Sequence, residues 1–104
     1  MNCGQRTEIE LFELLDTVKY YKKVRRNVHI PNGEVDAIGY YRVFVAGETT
    51  SIEHRIDLYE AKHLRKSKSV NKAHKQLKHA RGYLGKKGNN YLYTSNHGIE
   101  ELVI

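Results

Sequence analysis

Two segments with apolar residues at helical spacing enclose a stretch of strand-forming residues, and this order limits the fold more than any other feature of the chain. The first segment runs from Thr7 to about Tyr20, and Thr7 with Glu10 forms a T-x-x-E capping box. In the second segment, Ser67 to Leu84, an apolar stripe lies opposite a basic one. The pattern predicts two amphipathic helices.

Between the two helices the residues are typical of strands. Val24 to Ile30 and Val35 to Val45 are rich in β-branched and aromatic residues, and the turn Pro31-Asn32-Gly33 separates them. This arrangement predicts an antiparallel pair. After a loop at Ala46 to Ser51, the segment Ile56 to Ala61 predicts a third strand.

The end of the chain predicts one further strand, Tyr91 to Thr94, whereas the tail Ile99 to Ile104 fits either a short strand or a helical turn. The order helix, three strands, helix, strand predicts an α/β fold, with a mixed sheet flanked by helices. A chain of 104 residues fits one domain, so we expect residues 1–104 to form a single unit.

Charge is unevenly distributed along the chain. Eighteen Lys and Arg oppose twelve Asp and Glu, for a formal charge of +6, and ten of the basic residues fall between Lys62 and Lys87. This basic segment suits a polyanion such as nucleic acid, although a lysine-rich helix face is also an ordinary solvated surface. No apolar run approaches the roughly 20 residues of a membrane span, and the single Cys3 cannot form an internal disulfide. We therefore expect a cytoplasmic protein without a membrane segment.

Acidic and basic residues on two neighbouring strands form the candidate site. Because strand side chains alternate, Glu60 and Lys62 share a face, as do Glu34 and Asp36 just after the turn. Carboxylates on adjacent strands suit a hard cation such as Mg²⁺, and a lysine beside them can stabilise charge developing on a phosphate. The pattern indicates phosphodiester hydrolysis. The alternatives are a surface ion pair of Glu60 with Lys62, and turn or supporting roles for Asp36 and Glu34.

With Asp36 on one strand and Glu60-Ala61-Lys62 on the next, the chain resembles the PD-(D/E)XK nucleases. The resemblance implies a restriction-endonuclease-like αβββαβ core and an endonuclease that hydrolyses DNA. It also implies that Asp36, Glu60 and Lys62 are catalytic, that the two acids bind Mg²⁺, and that Mn²⁺ can substitute.

Within that superfamily the amino terminus is similar to the archaeal Holliday junction resolvases, which have a glycine, three further residues, a glutamate and an amphipathic helix. Gly4 to Leu15 follows this pattern, and the resemblance implies that Glu8 is a catalytic acid and metal ligand. It also implies branched DNA as the substrate and a homodimer. Independently, the helical projection places Glu8 on the inward stripe, where a carboxylate is costly unless it is paired or bound. The alternative is a first-turn acid stabilised by the helix dipole.

Several further residues are expected to contact DNA: Arg25, Arg26, Lys68, Lys72, Lys75 and, in a supporting role, Gln76. Two other functions remain open. One is a non-catalytic nucleic-acid-binding module on the same fold, and the other is a virus or mobile-element nuclease that acts on linear or single-stranded DNA. The six histidines form no H-x-x-x-H array, so the sequence does not predict a zinc site.

Overall fold

The computed structural model describes residues 2–47 and 51–104. Its elements are helix α1 (Cys3–Leu15), strands β1 (Lys23–Ile30), β2 (Gly33–Val45) and β3 (Ser51–Lys62), helix α2 (Ser67–Leu84), and strands β4 (Asn90–Thr94) and β5 (Gly98–Glu101). The strands form one sheet in the order β1-β2-β3-β4-β5. Strands β3 and β4 run parallel and all other neighbours antiparallel, so the predicted α/β fold with a mixed sheet is confirmed.

The two helices cover opposite faces of the sheet. Leu77 of α2 belongs to a buried cluster with Ile56 and Leu58 of β3. Leu11 of α1 belongs to a second cluster with Tyr59. Since alternate strand residues point to opposite faces, this division confirms the predicted faces of β3 and makes three layers, helix on sheet on helix. The same alternation places Glu60 on the α2 side.

Helix α1 begins one turn earlier than predicted, and the Thr7–Glu10 capping box is wrong. Asn2 is the cap: its side chain accepts the Gln5 N–H at 2.8 Å, and the Gln5 side chain accepts the Asn2 N–H at 3.1 Å. Thr7 therefore lies inside the helix, which ends at Leu15 rather than near Tyr20. In the described part of the chain, neither helix combines the length and the apolar character that a membrane crossing needs.

The start of β3 also differs from the prediction, and the structure decides between the alternatives for the tail. Strand β3 begins at Ser51 instead of Ile56, because the hairpin with β2 continues to the pair Val45 and Ser51. The predicted loop thus loses Ser51, and residues 48–50 lie outside the described part. The tail, left open between strand and helical turn, forms β5 beside β4.

The ring of Tyr21 lies directly on Gly39, and its hydroxyl donates to the Asp57 carboxylate at 2.6 Å. A Cβ at position 39 would overlap this buried ring. We expect Gly39→Ala to lower the free energy of unfolding by about 1–3 kcal/mol, measured by urea denaturation. The control is Gly82→Ala on α2, where a Cβ meets nothing within 4 Å and a gain of up to about 1 kcal/mol is expected. Equal stability of Gly39→Ala and wild type would contradict this packing.

Candidate active site

Strands β2 and β3 separate at one end, and this opening creates the candidate site. Their last pair is Ala37 with Tyr59. One residue beyond, Asp36 Oδ2 accepts the backbone N–H of Ala61 at 2.8 Å, so a carboxylate takes the place of a backbone carbonyl in the ladder. The sheet therefore splits at the position where the sequence places its acids.

A pocket of about 310 Å³ occupies the split. Residues from α1, β2, β3 and α2 line it, among them Glu8, Glu34, Asp36, Glu60, Lys62 and Gln76. The structure thus brings together all four residues predicted to be catalytic, and it adds the glutamine predicted to support them. Each comes from the element that the sequence assigned to it.

Three carboxylates of the pocket lie close to one another. Oxygen atoms of Glu8, Glu34 and Asp36 are all within 4.8 Å of each other. Oxygens at this spacing can hold one hard cation such as Mg²⁺, and like-charged acids also cluster where neighbouring donors offset their repulsion. Glu34, for which we expected a turn or supporting role, is therefore a full member of the acidic group.

Asn27 of β1 is the donor that the sequence did not reveal. It has a φ of 50°, a left-handed conformation that asparagine tolerates better than most residues. In the orientation that satisfies both groups, its amide nitrogen lies 3.1 Å from Glu34 Oε1 and 3.1 Å from Glu8 Oε1. One amide thus links two acids from different elements, and no sequence motif indicates the left-handed backbone of the residue that carries it.

Glu60 is the most buried acid of the pocket, with 2% of its surface exposed. Among the described residues, both Glu60 Oε1 and Gln76 Oε1 are buried without a hydrogen-bond partner. Burial, and then the nearby Asp36 carboxylate, raise the pKa of Glu60 to about 9, although the charge of Lys62 opposes the shift. Burial and the neighbouring Asp36 and Glu34 also raise the pKa of Glu8. Two unpartnered acceptors and repelling acids in one pocket are the chemical complement of a cation.

The raised pKa of Glu60 predicts how the stability of the metal-free protein depends on pH. Between the ordinary value of 4.5 and about 9, the folded protein keeps a proton that the unfolded chain has lost. The contribution of the Glu60 carboxyl to the free energy of unfolding is therefore complete below pH 4.5, and it is lost as pH rises from 4.5 to about 9. From pH 4.5 to about 9, we expect the free energy of unfolding of wild type to fall by roughly 2–5 kcal/mol more than that of Glu60→Gln. The measurement is urea denaturation in EDTA at a series of pH values.

The control for this pH experiment is Glu13→Gln, which makes the same chemical change on an exposed position of α1. We expect it to keep the wild-type dependence of stability on pH. Glu60→Gln should follow a shallower curve and be the more stable protein at the alkaline end. Identical curves for wild type and Glu60→Gln would show that Glu60 is not protonated in the folded, metal-free state.

Helix α1 is anchored to the sheet next to Glu8. The hydroxyl of Thr7 lies 2.9 Å from that of Ser95, which follows β4. Glu10 Oε2 accepts hydrogen bonds from Tyr93 at 2.9 Å and from Ser95 at 3.0 Å. These contacts fix the turn of α1 that carries Glu8. They could not be predicted from sequence patterns because they join residues more than 80 positions apart.

The residues predicted to contact DNA do not lie together. Arg26 is already engaged, since its guanidinium lies 3.3 Å from Asp16 and stacks on the Phe12 ring at 4.6 Å. Arg25 lines a different pocket, at the other end of the sheet. The predicted lysines of α2 are exposed to solvent: Lys68, Lys72 and Lys75. Of the two arginines, only Arg25 is therefore placed in a basic concave surface.

Comparison of the chain with protein-family models, with curated proteins and with solved structures finds no match. Function must therefore be argued from the pocket itself: its position in the sheet, its burial and the chemistry of its side chains.

Proposed function

We propose that this protein is a metal-dependent endonuclease that hydrolyses DNA phosphodiester bonds on a restriction-endonuclease-like core. One observation carries the proposal: Glu8, Asp36, Glu60 and Lys62 line a single pocket at the point where two central strands diverge. Several acids with one ammonium group form the set of side chains that metal-assisted phosphodiester hydrolysis requires.

In this proposal Glu8, Asp36 and Glu60 hold Mg²⁺, which Mn²⁺ can replace. A bound metal of this kind polarises the phosphate and lowers the pKa of a coordinated water. The acids are oriented before a substrate arrives, because the Ala61 N–H holds the Asp36 carboxylate and Asn27 bridges two of its neighbours. Lys62 places its positive charge where negative charge develops on the phosphate.

The charge distribution supports DNA as the substrate class. The acidic pocket alone would repel a polyanion, but the basic residues between Lys62 and Lys87 follow it directly in the chain and supply exposed lysines on α2. Binding should therefore weaken steeply with salt. The resemblance to junction resolvases makes branched DNA the first substrate to test. Paired cuts across a junction also require two-fold symmetry, so we propose a homodimer.

The proposal is tested with labelled four-way junction, duplex and single-stranded DNA, each incubated with Mg²⁺ or with EDTA. We expect wild type and the exposed-site control Glu13→Gln to cleave at least one substrate in Mg²⁺ and none in EDTA, and Glu60→Gln to cleave none. DNA binding without cleavage under every condition would contradict the proposal and support the non-catalytic module. Cleavage that persists in EDTA would exclude the metal-dependent mechanism.

A further inference from the structure

A second pocket, of about 440 Å³, lies beyond the carboxy-terminal end of α2. Its lining is basic, and the residues that determine its charge are Lys22, Lys23, Arg25, His54, Arg55 and Lys86. They come from separate places: the start of β1, the first half of β3, and the connection after α2. None of the described residues that line it is acidic. The fold therefore gathers positive charge here from parts of the chain that are distant in sequence.

Most of this charge is not neutralised. Arg55 pairs with Glu53 at 3.1 Å. Within residues 2–47 and 51–104, Lys22, Lys23, Arg25 and Lys86 form no ion pair. Like charges converging on a concave surface repel one another, and an anion with several charges would relieve that repulsion.

The backbone that carries these cations is held in place. The Lys22 N–H donates to the Tyr40 carbonyl at 2.7 Å, and Lys23 pairs with Tyr40 in the sheet. On the other side, the Arg81 guanidinium donates to the Lys86 carbonyl at 2.9 Å. Half-buried Tyr40 and Tyr41 complete the lining with aromatic surface. The backbone of the pocket is thus preorganised, which lowers part of the entropic cost of binding a ligand.

The basic pocket and the acidic pocket lie along the same two strands, the acidic pocket at the start of β2 and the end of β3, and the basic pocket nearer the middle of each strand. Tyr40 is four residues from Asp36 on β2, and His54 is six residues from Glu60 on β3. At about 3.3 Å per residue the two pockets are therefore roughly 13–20 Å apart. Measured along the axis of duplex DNA, this separation corresponds to about 4–6 base pairs.

We propose that the basic pocket binds backbone phosphates of the DNA substrate about 4–6 base pairs from the bond that is cut. The identity of the ligand rests on the proposed nuclease function. The protein would then contact the duplex at two places. The acidic pocket performs the cleavage, and the basic pocket binds the backbone of the flanking DNA at a fixed distance. A duplex end closer to the cut than this would lose the second contact.

The test measures binding to a labelled duplex by fluorescence anisotropy in EDTA, over a range of salt concentrations, so that cleavage plays no part. The pocket variant combines Lys23→Gln, Arg25→Gln and Lys86→Gln. We expect the slope of log affinity against log salt to become shallower by about 2–3, as for three lost phosphate contacts. The charge-keeping variant Lys23→Arg, Arg25→Lys, Lys86→Arg should keep the wild-type slope.

A second control removes the same net charge elsewhere, through Arg6→Gln, Lys19→Gln and Arg42→Gln, three exposed positions that line neither pocket and lie outside the basic segment of α2. We expect its slope to change by less than about one. Equal slopes for this control and the pocket variant would overturn the proposal. Binding to anionic lipid vesicles that falls in the pocket variant while DNA binding does not would also overturn it.

Cleavage in Mg²⁺ is scored separately, so the two proposals can fail independently. If wild type binds DNA through the basic pocket but never cleaves it, the proposed nuclease function is contradicted and the phosphate-binding site is supported. If wild type cleaves DNA and the pocket variant binds and cleaves it equally well, only the proposed role of the basic pocket is contradicted.

Discussion

Lys62→Met is expected to slow metal-dependent DNA cleavage at saturating metal by about 10²–10³-fold while leaving the fold near that of wild type. Methionine keeps most of the length of the side chain and removes its charge, so the pocket would lose the cation that the proposed function places beside the phosphate. Single-turnover cleavage at saturating metal isolates this chemical step, and Mn²⁺ titration checks the metal site. The matched control is Lys66→Met, an exposed lysine four residues further on.

The same substitution should move the pH dependence of cleavage. The charge of Lys62 opposes the upward shift in the pKa of Glu60, so its removal lets that pKa rise further. Metal binding competes with the Glu60 proton, and the variant should therefore need a higher pH to reach its own maximal rate. Cleavage by Lys62→Met at the wild-type rate, with an unchanged pH profile, would show that Lys62 has no part in the reaction.

Asp36→Asn is expected to have the largest effect of any single substitution, with cleavage reduced at least about 10³-fold and Mn²⁺ affinity at least about tenfold. Asp36 lies beside Glu8, Glu34 and Glu60, and its charge helps to raise the pKa of Glu8 and of Glu60. Asparagine retains an oxygen that can accept the Ala61 N–H, and the strands should stay in place. Cleavage assays and isothermal titration with Mn²⁺ measure the two effects.

The control for this variant is Asp16→Asn, which makes the same change in an exposed ion pair with Arg26. It should cleave and bind metal as wild type does. Circular dichroism spectra that coincide for all three proteins would exclude misfolding as the cause. Retention of both activities by Asp36→Asn would contradict the assignment of this pocket as the active site.

Much of the framework of the site could be predicted because it depends on local periodicity. The period of two along a strand placed Glu60 on the same face as Leu58, and the length of the second apolar stripe gave α2 its observed bounds. The turn at Pro31 to Gly33 fixed the antiparallel pair that carries Asp36. Each of these features depends on the residue pattern within one helix, strand or turn, so it can be predicted from the sequence.

The features that complete the site depend on contacts between distant elements. Asn27, whose backbone is left-handed, contacts acids of two other elements. Glu34 alternates with Asp36 in the sequence, a signal that could have placed it in the site, but the same pattern suits an ordinary turn. The buried hydrogen bond of Tyr21 with Asp57 and its close approach to Gly39 join residues far apart in the chain. The periodicity of apolar residues does not predict contacts of this kind between distant parts of the chain.

The hydrogen bond from the Ala61 amide to Asp36 gives the protein an internal reporter. The Asp36 carboxylate accepts this N–H and would also contact a bound ion. The NMR chemical shift of the Ala61 amide and its rate of hydrogen exchange should therefore change when an ion binds. If the pocket binds an ion as proposed, binding would be linked to the contact that lies just beyond the last residue pair of β2 and β3. Spectroscopy of one backbone proton could follow occupancy of the pocket without a label, a substrate or turnover.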